Sequence, residues 1–172
     1  TQHEQAAAMA ADAYARITNN FGVAVATSGP GATNLITGVA CSWFDSIPTI
    51  FITGQVNLSE TKGKRKIRQL GFQETDIVEI VRPITKFAVM VKNPQKIRYY
   101  LDRALFLAKS GRPGPVWLDI HLNVQHAEID TRKLERFDPK EIVQKKNSSF
   151  LKRRISECLE LATEASRPII LA

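Results

Sequence analysis

Apolar and polar positions change their period several times along the chain, and each change marks an element. Residues 4–17 are mostly alanine, with Met9, Tyr14 and Ile17 as the bulky apolar groups, which predicts a helix packed close against a neighbour. Val23-Ala24-Val25-Ala26 follows Gly22 and reads as a short buried strand. A second, small-residue helix is expected over 31–42. Thr49-Ile50-Phe51-Ile52-Thr53 is a continuous β-branched and aromatic run, the mark of a strand covered on both faces as in parallel sheets. Residues 54–71 are polar, basic and without period, so a long loop is expected there, and long loops inside compact domains are functional or mobile.

Helical spacing returns over 74–81 and stops before Pro83. Residues 85–91 read as a strand. A helix then runs from Asn93-Pro94 to about Lys109, with Ile97, Leu101, Ala104, Leu105 and Ala108 on one face. Gly111-Arg112-Pro113-Gly114-Pro115 is a turn, and 116–120 is a further strand. Strands alternating with helices predict an α/β fold, a parallel sheet with helices on both faces. After Gln125 the periodicity is lost: 126–150 reads as a linker, 151–165 as an amphipathic helix and 167–172 as a strand opening another domain. The first helix has no strand ahead of it, so the sheet domain over 1–125 is expected to be incomplete, and the second domain is cut short.

Composition narrows this picture. Of 172 residues 44% are hydrophobic, enough for a core, and no apolar run approaches the length of a membrane span, so no membrane partner is expected. Cys41 and Cys158 lack disulfide or metal spacing; a reducing, cytoplasmic setting follows, with Cys41 expected as an inert core thiol. The net charge of +7 is concentrated in Lys62-Gly63-Lys64-Arg65-Lys66-Ile67-Arg68 and Lys152-Arg153-Arg154. These groups lack interleaved aromatics or a nucleic-acid motif, which argues against a nucleic-acid partner; an anionic ligand or an acidic neighbour would use the same charge through steering.

The candidate chemistry lies in Thr27-Ser28-Gly29-Pro30-Gly31-Ala32-Thr33-Asn34 together with His3-Glu4-Gln5. An apolar strand feeding a glycine-proline-glycine turn delivers backbone and small side chains to a ligand, and in open α/β sheets the crevice lies at that end of the strands. Glu4 by itself reads first as a first-turn acid that stabilises a helix through its dipole.

The order of five blocks decides between those alternatives. His3-Glu4-Gln5, Thr27 to Asn34, Ile52-Thr53-Gly54-Gln55-Val56, Phe72-Gln73-Glu74 and Gly111 to Ile120 together resemble the pyrimidine-binding domain of thiamine diphosphate enzymes, and in particular the acetolactate synthase large subunits. The resemblance runs over 1–125, and 151–172 is similar to the start of the central domain of those enzymes.

It implies that Glu4 is the catalytic carboxyl that shares a proton with N1′ of the cofactor, in a place shielded from water so that it holds a proton near neutral pH. It implies that Ser28, Gly29, Pro30, Gly31 and Asn34 border the pyrimidine ring, that Phe72 and Gln73 face a small 2-oxo acid substrate, and that Arg112 contacts FAD in flavin-containing members. The diphosphate and Mg²⁺ are held in that family by another domain through a Gly-Asp-Gly…Asn-Asn motif, supplied by a second subunit of a homodimer or homotetramer. No metal ligand is therefore expected in this chain. The chain alone is expected to bind the cofactor weakly and to turn nothing over.

Two departures stand out. Ile120-His121-Leu122-Asn123-Val124-Gln125 has Leu122 where acetolactate synthases carry a substrate-facing lysine, and an apolar group cannot hold a carboxylate as an ammonium does. The basic insertion before Phe72 is similar to acetolactate synthase-like proteins of sugar metabolism. Three functions are thus open: an acetolactate synthase-like carboligase, a related decarboxylase, carboligase or hydrolase acting on a sugar-derived ketone, and a non-catalytic α/β binding module.

Overall fold

The computed structural model describes residues 1–142 and 148–169. Its main body, residues 1–139, is built on four parallel strands: β1 (Gly22–Ala26), β2 (Thr49–Gln55), β3 (Phe87–Val91) and β4 (Val116–His121), in the order β1-β2-β4-β3. Helices α1 (Glu4–Thr18), α2 (Pro30–Asn34), α3 (Ile36–Phe44), α4 (Ile77–Val81), α5 (Ile97–Lys109) and α6 (Leu122–Gln125) connect them. The expected parallel α/β sheet is present, with a separate apolar core on each face.

On one face Phe51 and Trp117 stack at 5.6 Å between centroids, and Ala8, Ala11, Leu35, Val39, Ile77 and Val81 close over them. On the other, Ile50, Val116 and Leu118 pack with Ala104 and Ala108 of α5. The alanine content of α1 has the expected cause. A Cβ on Gly22 would stand 1.7 Å from the Ala11 carbonyl oxygen, and one on Gly38 would stand 2.3 Å from the Ala8 Cβ. Backbone-close packing on both sides leaves room for nothing larger. Asp12 ties the same helix down, accepting from Ser42 Oγ at 2.8 Å and from Arg16 Nε at 2.5 Å. β1 is one of the two edge strands, and Val23 and Val25 on the α5 side are 53% and 67% exposed.

Several expectations are corrected. The helix expected over 31–42 is two, α2 and α3, meeting at Leu35. The helix at 74–81 is the shorter α4, because Glu74 and Thr75 are occupied in loop contacts described below. Cys41 is exposed rather than a core thiol: α3 buries Gly38, Val39 and Ser42, and Cys41 falls on the opposite side. The linker expected over 126–150 is packed in its first part. Leu134 and Phe137 are buried, and Phe137 meets the rings of Tyr99 and Phe106 on α5. Residues 143–147 of that stretch lie outside the described residues.

The second unit, residues 140–172, contains one long helix, α7 (Ser148–Glu164), where a helix over 151–165 is expected. The strand expected over 167–172 shows no strand at 167–169, and 170–172 lie outside the described residues. No helix among the described residues is long and apolar enough to cross a membrane.

Candidate functional site

Parallel strands bring their C-terminal ends to one side of the sheet, and the helix preceding β1 brings its N-terminus to the same side. Glu4 opens α1 there, after His3, whose Nδ1 accepts from Gln5 N at 3.2 Å as the helix cap. The turn after β1 arrives from the other direction. Asn34, at the end of α2, donates from Nδ2 to Glu4 Oε2 at 3.0 Å. The other oxygen, Oε1, stands where a Cβ on Gly31 would be 3.3 Å away. A glycine is what leaves that oxygen approachable from the turn.

Glu4 is half-buried, not shielded. Its carboxyl is held below the usual range, first by the Asn34 amide and then by its own backbone N–H. The expected readiness to hold a proton near neutral pH is thus absent in this chain on its own. Burial would raise the carboxyl, and here it is outweighed by the two donors.

Gly29 has φ +60° and ψ −120°, backbone that side chains do not tolerate. A Cβ there would also lie 2.7 Å from Gln73 Cβ and 2.8 Å from the Gln73 carbonyl oxygen. The turn at Ser28–Gly29 and the Phe72–Gln73 segment are therefore in backbone contact, as the expected grouping requires. Gln73 is itself left-handed at φ +61°.

The sequence singled out Gln73 but not what holds it. Gln55, at the end of β2, donates from Nε2 to the Thr75 carbonyl at 2.9 Å and to Asp119 Oδ2 at 3.0 Å. Its Oε1 accepts from Val56 N at 3.0 Å. Asp119 Oδ1 accepts from Thr53 Oγ1 at 2.7 Å, and Thr53 Oγ1 in turn accepts from Trp117 Nε1 at 2.9 Å. Asp119 is fully buried, and burial pushes its carboxyl up to about 6 against the pull of Thr53 and Gln55. The polar positions Thr53, Gln55 and Asp119 inside otherwise apolar strands are the signal by which this network could have been found.

Two hollows flank the end of β1. One, of about 890 Å³, is lined by Glu4, Ala7, Tyr14, Val23, Val25 and Thr27. The other, of about 530 Å³, is lined by Thr27, Ser28, Gln55, Phe72, Leu122 and Gln125. Val25, Ala26 and Thr27 border both. Phe72 is 82% exposed, and Leu122 presents an apolar wall. Pro30 caps the rim as the first residue of α2.

Arg112 is not part of this grouping. It precedes β4 and so stands at the opposite end of the sheet, where Nε donates to Ser46 Oγ at 2.6 Å and an NH₂ donates to the Phe44 carbonyl at 3.4 Å. A separate hollow of about 420 Å³ lies there, lined by Trp43, Phe44, Lys86, Ser110, Arg112 and Pro113. Among the described residues no group of three or more His, Cys, Asp or Glu is placed to hold a metal ion.

Sequence comparison finds relatives along the chain. Residues 1–80 match the family model described as thiamine pyrophosphate enzyme, N-terminal TPP binding domain. Over 98% of its length the chain is 42% identical to an acetolactate synthase of Arthrospira platensis and 42% identical to the acetolactate synthase large subunit of Corynebacterium glutamicum, covering 28% and 26% of those proteins. Over 72% of its length it is 48% identical to acetolactate synthase 2, chloroplastic, of Nicotiana tabacum, covering 18% of it. The chain thus spans less than a third of the length of these curated relatives. Carrying that N-terminal domain match and a likeness to acetolactate synthases along nearly all its residues, the chain belongs to the thiamine pyrophosphate enzymes.

Proposed function

We propose that this chain provides the pyrimidine-facing half of a thiamine diphosphate site, in an enzyme that decarboxylates a 2-oxo acid and passes the acyl unit to a carbonyl acceptor. One observation carries it: a carboxylate at a helix start, oriented by Asn34 and left open on the Gly31 side. Such a carboxylate suits a ring nitrogen that exchanges a proton. Glycines at 29 and 31 let the turn sit close to Gln73 on one side and to Thr27 and Glu4 on the other, where a side chain would intrude.

When bound, the cofactor supplies the nucleophilic carbon and the electron sink for decarboxylation. The chain's own residues do the rest. Glu4 holds or releases a proton at its Oε1, and Asn34 fixes which oxygen faces the cradle. Ser28, Gly29, Pro30 and Gly31 border the ring. Phe72 borders the substrate side with Gln73 behind it, and an exposed Phe72 shields that side only once a neighbouring domain covers it. Covering Glu4 with the ring and with a neighbouring domain removes solvent, which raises its affinity for a proton toward working pH.

The diphosphate and Mg²⁺ fall to a diphosphate-binding domain of a second subunit, so a homodimer or homotetramer is the working form, in the cytoplasm. FAD, if carried, would use Arg112, whose exposed guanidinium borders the same hollow as Trp43 and Phe44.

A second reading is favoured by Leu122. With no ammonium at that wall, a second 2-oxo acid lacks a partner for its carboxylate, and a neutral ketone derived from a sugar fits better. Product analysis separates the two. The full-length enzyme is incubated with ¹³C-labelled pyruvate, with and without dihydroxyacetone. Acetolactate from pyruvate alone supports the first reading. A product formed only when the ketone is present supports the second. Absence of both carbon dioxide release and product contradicts the proposal.

A further inference from the structure

The basic segment between β2 and α4 has no role assigned in the proposed cofactor site, yet both its feet line the hollow beside Leu122: Val56 and Glu60 on one side, Phe72 on the other. One carboxylate closes it on itself. Glu74, buried at 8% exposure, accepts from Lys62 N at 2.7 Å and from Leu70 N at 2.8 Å. Lys62 spends its charge on Asp76 at 2.5 Å. A turn with Arg65 N on the Lys62 carbonyl at 3.0 Å, and Gly63 at φ +55°, then carries the chain outward. Lys64, Arg65, Lys66 and Arg68 are exposed on the part so displayed. None of the four is in an ion pair with an acid among the described residues.

The hollow itself offers the opposite. Its lining contains no lysine or arginine, and its one acid, Glu60, accepts from Asn57 through its carboxylate. An anion inside the hollow finds no cation in this chain, whereas one further out meets four. Lys64 is four residues from Glu60, and Arg68 is four residues from Phe72, a chain reach of at most ~14 Å from either foot. A small 2-oxo acid has its one anionic group directly beside its carbonyl, inside the hollow. A keto sugar bearing a phosphate or diphosphate has its anionic group set apart from the carbonyl, where the loop's cations are.

We propose that the 62–70 loop binds the phosphate or diphosphate end of an acceptor whose carbonyl lies in the hollow beside Phe72 and Leu122. This deepens the proposed function and rests on it. Guanidinium forks and ammonium groups are the side chains that hold phosphate oxygens through charge-assisted hydrogen bonds, and their joint field draws such a ligand to the mouth. The Glu74 closure is what makes the loop a platform rather than a free strand. Ile67 is the sole apolar residue between Lys64 and Arg68, and without a stacking aromatic the loop lacks the means to read nucleic-acid bases.

The test uses the full-length enzyme saturated with thiamine diphosphate and Mg²⁺, titrated calorimetrically with uridine diphosphate. Binding is expected, weakening with added salt. The K64Q/R65Q/K66Q/R68Q variant should bind at least tenfold more weakly, and the charge-keeping K64R/K66R variant within about threefold of the parent. If the quadruple variant unfolds, the pairs K64Q/R65Q and K66Q/R68Q replace it, each with a weakening of about threefold or more. Unchanged affinity in the neutralised variants, or no binding at millimolar nucleotide, overturns the proposal. Displacement of the nucleotide by a poly-glutamate peptide of higher affinity would assign the loop to an acidic protein and overturns it too. Cofactor titration of the same enzyme separates the failures: intact cofactor binding without nucleotide binding rejects the loop's role alone, and absent cofactor binding rejects the underlying reading and the proposal with it.

Discussion

At the scale of single residues, Gly29 carries two constraints at once. Its φ of +60° excludes side chains by backbone strain, and the approach of Gln73 excludes them by contact. Gly29→Ala is therefore expected to destabilise the domain by about 1–3 kcal/mol. It should also push Gln73 away from the rim, raising KM for the 2-oxo acid; urea unfolding and steady-state kinetics check the two effects. Gly63, with the same sign of φ but open space around it, should by contrast show only the backbone cost when changed to alanine. Asn34→Leu keeps the bulk and removes the donor that comes first in lowering the Glu4 pKa. The ionised form of Glu4 then loses its stabilisation and the pKa rises, an upward shift that carboxyl-detected NMR titration reports.

At the scale of elements, the buried Asp119 links β2, β4 and the Gln73 turn. Its folded-state pKa of about 6 lies above the ordinary carboxyl value of 3.8. The folded chain therefore binds this proton more tightly than the unfolded chain. The associated stability is fully present below the unfolded pKa and is lost as pH rises from about 4 through about 6, amounting to roughly 3 kcal/mol. Urea midpoints across that window should contain this falling component in the parent and lack it in Asp119→Asn. The asparagine has a second effect. Its amide donor faces either Thr53, whose hydroxyl must then turn from donor to acceptor, or Gln55, which must then turn its own amide and give up the Thr75 carbonyl or Val56 N–H; either way one hydrogen bond of the network is lost and the support of the Gln73 turn weakens.

Which elements could be read from the chain follows from the same physics. β2 and β4 were legible because strands covered on both faces are continuous apolar runs. The tight seat of α1 was legible because only alanine and glycine allow it. The split between α2 and α3, the late start of α4 and the packing of 126–139 were not, because each is set by long-range contacts that leave no local period. The Glu74 closure joins residues twelve and four apart through one side chain, and nothing in the spacing announces it. The Glu4–Asn34 pair was half legible: both residues stood in recognisable blocks, but their hydrogen bond and the resulting low pKa belong to the folded chain.

At the scale of the whole molecule, a half-exposed, ionised Glu4 describes a half-site. The 172 residues should by themselves release no detectable carbon dioxide from pyruvate, because Glu4 is only half-buried among the described residues. The exposed Val23 and Val25 on the edge strand should also promote association at high concentration, visible as a concentration-dependent sedimentation coefficient. The central claim rests on Glu4, and the direct measurement is the turnover of the full-length Glu4→Gln enzyme at saturating thiamine diphosphate and Mg²⁺. Glutamine keeps the size and the Asn34 neighbour but cannot exchange the proton, so kcat for 2-oxo acid decarboxylation should fall by about 10²–10⁴-fold with folding unchanged. A kcat within about twofold of the parent in a fully cofactor-loaded variant would contradict it.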